Sequence, residues 1–151
     1  MENEQLDGIK RFYLLQTERV ETYRLFDDGF QAYLKGAPQY NFPMYKKLVH
    51  EITTAFQKIS ADILTIEKML LEHNRKDLAD SIRKIQEFEE RKLKLTAELQ
   101  MMLQKQTDEP ESEMQESINE HKNMVSEVIS EINEEMDTLK YASEDLYTNM
   151  T

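Results

Sequence analysis

Apolar residues recur every three or four positions through most of this chain, which is the spacing that places side chains on one face of an α-helix. Gly36 can take the left-handed conformation that ends a helix, and Pro38 cannot continue one. We therefore predict helix 1 over residues 5–34. Its apolar stripe consists of Leu6, Ile9, Tyr13, Val20, Tyr23, Phe30 and Leu34, interrupted by Gln16 and Asp27.

The same spacing predicts two further helices after the first break. Helix 2 covers residues 43–74, because a proline such as Pro43 in the first turn of a helix loses no hydrogen bond. Helix 3 covers residues 76–105, after a shift of periodicity near Asn74. The helix 2 stripe is Leu48, Ile52, Ala55, Phe56, Ile59, Ile63, Ile66 and Leu70, and the helix 3 stripe is Leu78, Ile82, Ile85, Phe88, Leu95, Leu99 and Leu103.

A polar, proline-containing linker over residues 105–111 separates helix 3 from the last predicted helix. Ser112 and Gln115 have the spacing of a capping box, in which the two side chains satisfy free backbone N–H groups. The sequence thus predicts helix 4 over residues 112–147. Its heptad-like stripe is Ile118, His121, Val125, Val128, Ile132, Leu139, Ala142 and Leu146.

These elements predict an all-α protein with four long helices in a single domain spanning residues 1–151. Short links favour antiparallel neighbours, so we expect an antiparallel helical bundle built from coiled-coil hairpins, and a monomer. The alternative is an elongated coiled coil that dimerises, because a second copy can bury the same stripes.

Composition and charge limit the classes of partner that we expect. The net charge is −11, and residues 107–151 carry thirteen acids against two bases, so the imbalance lies in the last segment. Phosphate binding requires clustered Lys and Arg, so direct nucleic-acid binding is not expected and protein partners are. No apolar run reaches the length of a membrane span, and the start of the chain resembles no signal or transit peptide. We therefore expect an intracellular protein, nuclear or cytoplasmic, without a membrane partner.

Helix 3 concentrates basic residues, whereas helix 4 is acidic. Acids interleaved with the bases of helix 3 predict a surface whose charges pair with one another rather than an anion site. Helix 4 either lies beside helix 3 and offsets its charge, or offers its acids to a basic partner.

No constellation typical of catalysis is apparent. The stretch "HEITT" begins like the zinc-protease signature, but Thr54 stands where the second histidine would be, so we expect no metal site. No histidine has a glutamate three residues before it, as di-iron bundles require. The chain has no glycine-rich phosphate loop and no cysteine. We expect neither an enzyme nor a cofactor.

The corner between helices 1 and 2 is the candidate binding site, because Tyr40, Phe42 and Tyr45 concentrate there next to His50. Two interpretations stay open. The rings either fold back over the helix ends and seal the interior, or remain exposed and anchor a partner. For His50 we expect a half-buried side chain near the corner.

The segment from Gln16 to Ser60 resembles the required for excision 1-B domain family. The family pattern has an Arg, then aromatic, acidic and Gly residues before Tyr-Leu, a Gly/Pro loop, Tyr-x-Phe-Pro-x-Tyr, and Val-His-Glu-(Ile/Val)-Thr-x-Ala-Phe. The matching residues are Arg19, Phe26, Asp28, Gly29, Tyr33, Leu34, Gly36, Tyr40, Phe42, Pro43, Tyr45, Val49, His50, Glu51, Ile52, Thr53, Ala55 and Phe56.

The resemblance implies a small intracellular helical protein with a role in DNA excision repair, and it implies no catalytic or metal-binding residue. Combined with the acidic charge, it gives the hypothesis of a non-enzymatic accessory or adaptor protein that contacts repair or chromatin factors. The alternative hypothesis is an acidic coiled-coil adaptor subunit of a cytoskeletal or trafficking complex.

Overall fold

The computed structural model describes residues 2–148, and these residues form the all-α bundle that the sequence predicts. The helices are α1 (Glu2–Lys35), α2 (Phe42–Glu72), α3 (Lys76–Asp108), α4 (Gln115–Ala142) and the short α5 (Glu144–Thr148), with a 3-10 turn at Pro110–Ser112 between α3 and α4. Short links make successive long helices antiparallel neighbours. None of the helices in this part of the chain is long and apolar enough to cross a membrane.

The breaks between the first three helices have clear local causes. The Asn41 side chain caps α2 by accepting a hydrogen bond from the Met44 backbone N–H at 3.3 Å. Asn74, with φ of 60°, supplies the left-handed residue after α2. Gly36 does not, because its φ is not positive. Instead the Gly36 N–H donates to the Tyr33 carbonyl at 3.1 Å, and this tight turn closes α1.

The predicted capping box of helix 4 is wrong. Ser112 lies in the 3-10 turn that Pro110 begins, and Glu113 follows with a left-handed φ of 55°. The helix therefore begins only at Gln115, preceded by Met114, and no side chain caps it. The cause is the left-handed residue, which interrupts the helical backbone between the two members of the predicted box.

The interior divides into two apolar clusters. The larger cluster holds residues from all five helices, and the smaller one holds Phe26, Ile52 and Phe56 at the end of the bundle nearer the α1–α2 corner. Most of the stripes predicted for helices 2, 3 and 4 point into these clusters. Buried members of those stripes are Ile52, Phe56, Ile59, Ile63, Ile66, Leu70, Leu78, Ile82, Ile85, Leu95, Ile118, Val128, Ile132, Leu139 and Leu146.

The stripe predicted for helix 1 is partly wrong. Val20 is 62% exposed, whereas Gln16, which was thought to interrupt the stripe, is buried. The reason is that α1 contacts both α2 and α3, so its buried surface is wider than one apolar row and includes polar positions. The buried α1 residues outside the predicted stripe include Phe12, Leu15, Phe26 and Tyr33.

The four long helices do not form a closed ring, because the first and the last stay apart. Neighbours along the chain pack against one another, but across residues 2–148 no Cα atom of α1 lies within 8 Å of a Cα atom of α4. Helix α5 returns to α1. Arg75, in the turn before α3, holds this end of the chain: it donates to Asp145 at 2.9 Å and to the Ala142 carbonyl at 3.0 Å.

We expect Phe56→Ala to lower the free energy of unfolding by about 3–5 kcal/mol, because it removes a buried ring and leaves a cavity. The Phe56 ring lies 4.7 Å from the Tyr23 ring, centroid to centroid. Urea unfolding measures the change. Leu71→Ala, at a half-exposed position of the same helix, is the control and should change stability by less than about 1 kcal/mol. A dimer in light scattering, with little effect of Phe56→Ala, would instead support the elongated coiled coil.

Candidate interaction site

A stack of three tyrosines occupies the α1–α2 corner. The buried Tyr33 ring lies between the rings of Tyr40 and Tyr45, with centroid distances of 4.6 and 4.2 Å and an interplanar angle of 21° in both pairs. Phe30 packs at a tilt beside Tyr45. Tyr40 and Tyr45, two of the candidate binding residues, are therefore half-buried and close the end of the bundle.

Hydrogen bonds tie each tyrosine of the stack to the C-terminal part of α3. The Tyr45 hydroxyl donates to Gln100 at 3.2 Å, and the Gln104 amide donates to the Tyr33 hydroxyl at 3.1 Å. The Tyr40 hydroxyl donates to the Asp108 carboxylate. The corner is thus fixed by polar contacts as well as by ring packing.

Phe42 has the opposite placement from the tyrosines. It is 58% exposed, and Met44 beside it is 69% exposed, so the first turn of α2 presents an apolar tip. His50 is exposed as well, so the expectation of a half-buried histidine is wrong. It lies two turns further along α2. The structure therefore separates the four candidate residues: Tyr40 and Tyr45 seal the corner, while Phe42 and His50 face outward.

A buried polar layer separates the two apolar clusters, and the sequence patterns did not reveal it. Arg19 is 3% exposed and Glu89 6% exposed. The Arg19 guanidinium donates to Gln16 at 2.7 Å and to Gln86 at 2.6 Å, and it reaches Ser60 of α2 at 3.4 Å. Arg19 is one of the residues that match the family pattern. That match singled out the position but did not show that its side chain is buried.

The carboxylate of Glu89 is only partly satisfied. Its Oε2 atom accepts from the Gln16 amide at 3.0 Å and lies 3.6 Å from the Arg19 guanidinium. Its Oε1 atom is buried without a hydrogen-bond partner among the described residues. Such an orphaned acceptor costs roughly 1–3 kcal/mol. The layer borders a cavity of about 300 Å³ between α1, α2 and α3.

Burial shifts the proton affinities of this layer. Desolvation lowers the pKa of Arg19, with the nearby Glu89 charge opposing the shift. Desolvation also raises the pKa of Tyr23 and lowers that of Lys92, whose ammonium sits 4.0 Å above the Tyr23 ring centroid. In each case burial disfavours the charged form of the side chain. Among residues 2–148 no group of three or more acids and histidines is arranged to hold a metal ion.

The charged side chains of α3 and α4 differ in how far they form ion pairs. Lys76 and Arg83 pair with Asp80 and Glu67 at 2.8 and 2.9 Å. In contrast, α4 has seven acids against two lysines, and within residues 2–148 none of those acids pairs with Lys or Arg. One of them, Glu135, accepts a hydrogen bond from Ser81 at 2.7 Å. The charge of α4 is thus not neutralised by ion pairs with α3.

We expect Asp108→Asn to lower the pKa of one tyrosine. The hydrogen bond that the Tyr40 hydroxyl donates to the Asp108 carboxylate is the largest cause of a Tyr40 pKa raised to about 12, and burial and the Asp108 charge, which repels the phenolate, add to it. Its contribution to stability is complete below pH 10 and is lost as the pH rises towards 12. Absorbance at the phenolate band during alkaline titration measures the shift. Glu109→Gln, which removes the adjacent acid, is the control, and equal titration of both variants would contradict the assignment.

We expect a strong coupling between Arg19 and Glu89. Arg19→Met leaves a carboxylate buried without its cation and should cost about 3–5 kcal/mol of unfolding free energy. Arg19→Met combined with Glu89→Leu should cost less than the single change, because no buried charge then lacks a partner. Denaturant unfolding of the double-mutant cycle measures the coupling. Arg11→Met breaks an exposed pair with Asp62 and should cost less than about 1 kcal/mol; additive losses at Arg19 and Glu89 would exclude the coupling.

Comparison with known proteins finds relatives that align with these regions of the chain. The family model described as DNA repair REX1-B matches residues 7–103, from α1 to the C-terminal part of α3. The chain is 31% identical to a required for excision 1-B domain-containing protein of Bos taurus over 137 residues, which are 90% of this chain and 75% of the bovine protein.

A required for excision 1-B domain-containing protein of Mus musculus is 36% identical over 95 residues, which are 62% of this chain and 56% of the mouse protein. No solved structure matches the chain. The family match includes Arg19, the aromatic corner and Glu89, so it covers the features on which the fold is built. The chain therefore belongs to the DNA repair REX1-B family.

Proposed function

We propose that this protein is a non-enzymatic accessory factor linked to DNA excision repair, acting in the nucleus through contacts with repair or chromatin proteins. Membership of the DNA repair REX1-B family supports the repair link. The observation that carries the mode of action is the apolar tip formed by Phe42 and Met44, which lies in the segment with the most distinctive family motif.

The tip has the properties of a binding anchor. Aromatic side chains dominate the energy of protein interfaces. Phe42 is 58% exposed, and on either side of it in the chain Tyr40 and Tyr45 are stacked on Tyr33. Because the corner is already ordered, a partner that binds there need not order it, and less conformational entropy is lost. Such a site suits recognition of another protein.

Charge favours protein partners over duplex DNA. The net charge of −11 repels a phosphate backbone, and the paired Lys76 and Arg83 are already engaged on the protein's own surface. The buried ionisable groups also support a structural role. Arg19 and Glu89 lie close together in the interior and hydrogen-bond neighbouring amides, which accounts for their burial without invoking chemistry on a substrate.

Survival after ultraviolet irradiation tests the proposal. We expect cells that lack the protein to survive several-fold less well, because unrepaired lesions persist, and we expect the wild-type chain to restore survival. Phe42→Ala with Met44→Ala should fail to restore it at equal expression. Leu71→Ala, a half-exposed apolar position near the other end of α2, should restore it fully and serves as the matched control.

Affinity capture after irradiation complements the survival assay. Wild type and the Leu71→Ala control should recover the same repair or chromatin proteins, and the tip variant should lose them. Normal survival of cells without the protein would refute the repair link. Recovery of cytoskeletal or trafficking proteins, with the protein outside the nucleus after damage, would replace it with the adaptor role. Full rescue by the tip variant would show that partners bind elsewhere.

A further inference from the structure

The segment that carries the apolar tip contains no acidic residue. Between Asp28 and Glu51 the chain has neither aspartate nor glutamate, although its net charge is −11. The same segment contains three lysines, Lys35, Lys46 and Lys47, and all of them are exposed. The segment therefore adds positive charge next to the tip of an otherwise acidic protein.

These lysines are not neutralised within the chain. Across residues 2–148 none of the three lies within ion-pair distance of an acid, whereas Lys58 of the same helix pairs with Asp62 at 3.4 Å. Asp108 of α3 also reaches the corner, but its carboxylate already accepts the hydrogen bond of the Tyr40 hydroxyl. The lysines can therefore pair with acids of a ligand.

Helical spacing places the lysines beside the apolar side chains of the tip. Lys46 follows Phe42 by four positions, so the two side chains lie on one face about one turn apart, and His50 continues that row. Lys47 follows Met44 by three positions and has the same relation to it. Apolar and basic side chains thus alternate over about 12 Å of helix axis at 1.5 Å per residue.

The chemistry of this surface selects its ligand. An apolar side chain of the ligand packs against Phe42 and Met44, and carboxylates next to it pair with the lysines one turn further on. A short acidic peptide segment supplies both kinds of group within the length of the tip.

Larger polyanions fit less well. A DNA duplex or an anionic membrane extends beyond the tip and meets the rest of a chain whose net charge is −11. A segment confined to the tip avoids most of that repulsion, because exposed charges more than about 8 Å apart are largely screened at physiological salt. Within residues 2–148 no Cα atom of α2 lies within 8 Å of a Cα atom of the acidic helix α4.

We propose that the tip of α2 binds a short acidic segment of a partner protein, which inserts one aromatic or aliphatic side chain against Phe42 and Met44. The inference rests on the proposed function, because it uses the same tip, and it adds the chemistry of the partner. Lys46 and Lys47 are the residues that would make the surface selective for acids.

A designed peptide series tests this selectivity. The probe is a fluorescein-labelled peptide of about 12 residues, long enough to cross the tip in an extended conformation, with aspartates and glutamates around one central phenylalanine. Its counterparts carry amides or lysines instead of the acids, or alanine instead of the phenylalanine. Fluorescence anisotropy with the full chain gives the affinities.

We expect the acidic peptide to bind about tenfold tighter than the amide peptide and the lysine peptide not to bind. Loss of the phenylalanine should weaken binding about tenfold or more. A higher salt concentration should weaken the acidic peptide and leave the amide peptide unchanged.

Paired variants locate the binding. Lys46→Gln with Lys47→Gln should weaken the acidic peptide about tenfold. Lys46→Arg with Lys47→Arg keeps the charge and should preserve binding. Lys10→Gln with Lys68→Gln is the matched control, because it removes the same charge at exposed positions away from the tip. Circular dichroism should show equal helix content in all variants.

Three results would overturn the inference. They are equal affinity for the acidic and amide peptides, unchanged binding in the Lys46→Gln and Lys47→Gln variant, and tighter binding of a labelled single-stranded oligonucleotide or of phosphatidylserine vesicles that this variant abolishes. A dimer in light scattering that the same variant dissociates would show instead that the tip binds a second copy of the chain.

Failure of this inference is distinguishable from failure of the proposed function. If the acidic peptide does not bind while the Phe42 and Met44 variant still fails to restore survival, the accessory role stands and its partner has a different chemistry. If the peptide binds through Lys46 and Lys47 but cells without the protein survive normally, the repair link fails alone.

Discussion

The buried guanidinium of Arg19 is the constraint on which the bundle depends, because it joins three helices at one level. From α1 it hydrogen-bonds within its own helix to Gln16, and it reaches Ser60 of α2 and Gln86 of α3. Apolar side chains tolerate sliding of one helix along another, since many registers bury similar areas. A buried charge does not, because a shift of one turn would remove its acceptors at a cost of several kcal/mol. The polar layer therefore fixes the register, and the tyrosine stack meets Gln100, Gln104 and Asp108 as a consequence.

The sequence predicted the helices well, because their apolar stripes at a spacing of three to four residues are long and their breaks contain Gly, Pro or Asn. It did not predict the polar layer. Gln16 looks like a gap in the stripe of α1, and Arg19 is a charged residue three positions later. Only the packing of α1 against both α2 and α3 shows that these two side chains point inward. Val20 was misplaced for the same reason, since the stripe was continued across the gap onto a side chain that is exposed.

The sequence located the aromatic corner but did not show which of its rings are buried. Three aromatics near two prolines correctly marked the corner between α1 and α2, and the sealing interpretation describes two of the three rings. Tyr40 and Tyr45 seal it because Tyr33 lies between them, while Phe42 cannot join the stack because it begins α2 and points away. Which ring turns inward depends on the backbone geometry of the turn, and the composition of a segment does not contain that information. The separation of α1 from α4 was equally inaccessible, because it follows from the packing of α4 against α3 rather than against α1.

The acids of α4 are unfavourable for the isolated chain. Glu127 and Glu131, and likewise Glu131 and Glu135, are four residues apart on one helix. Like charges at this spacing each destabilise a helix by a few tenths of a kcal/mol. A solvated surface gains nothing in stability from such an arrangement, and within residues 2–148 no lysine or arginine offsets it through an ion pair. The same negative charges repel other acidic surfaces, and they therefore limit which proteins can lie against α4.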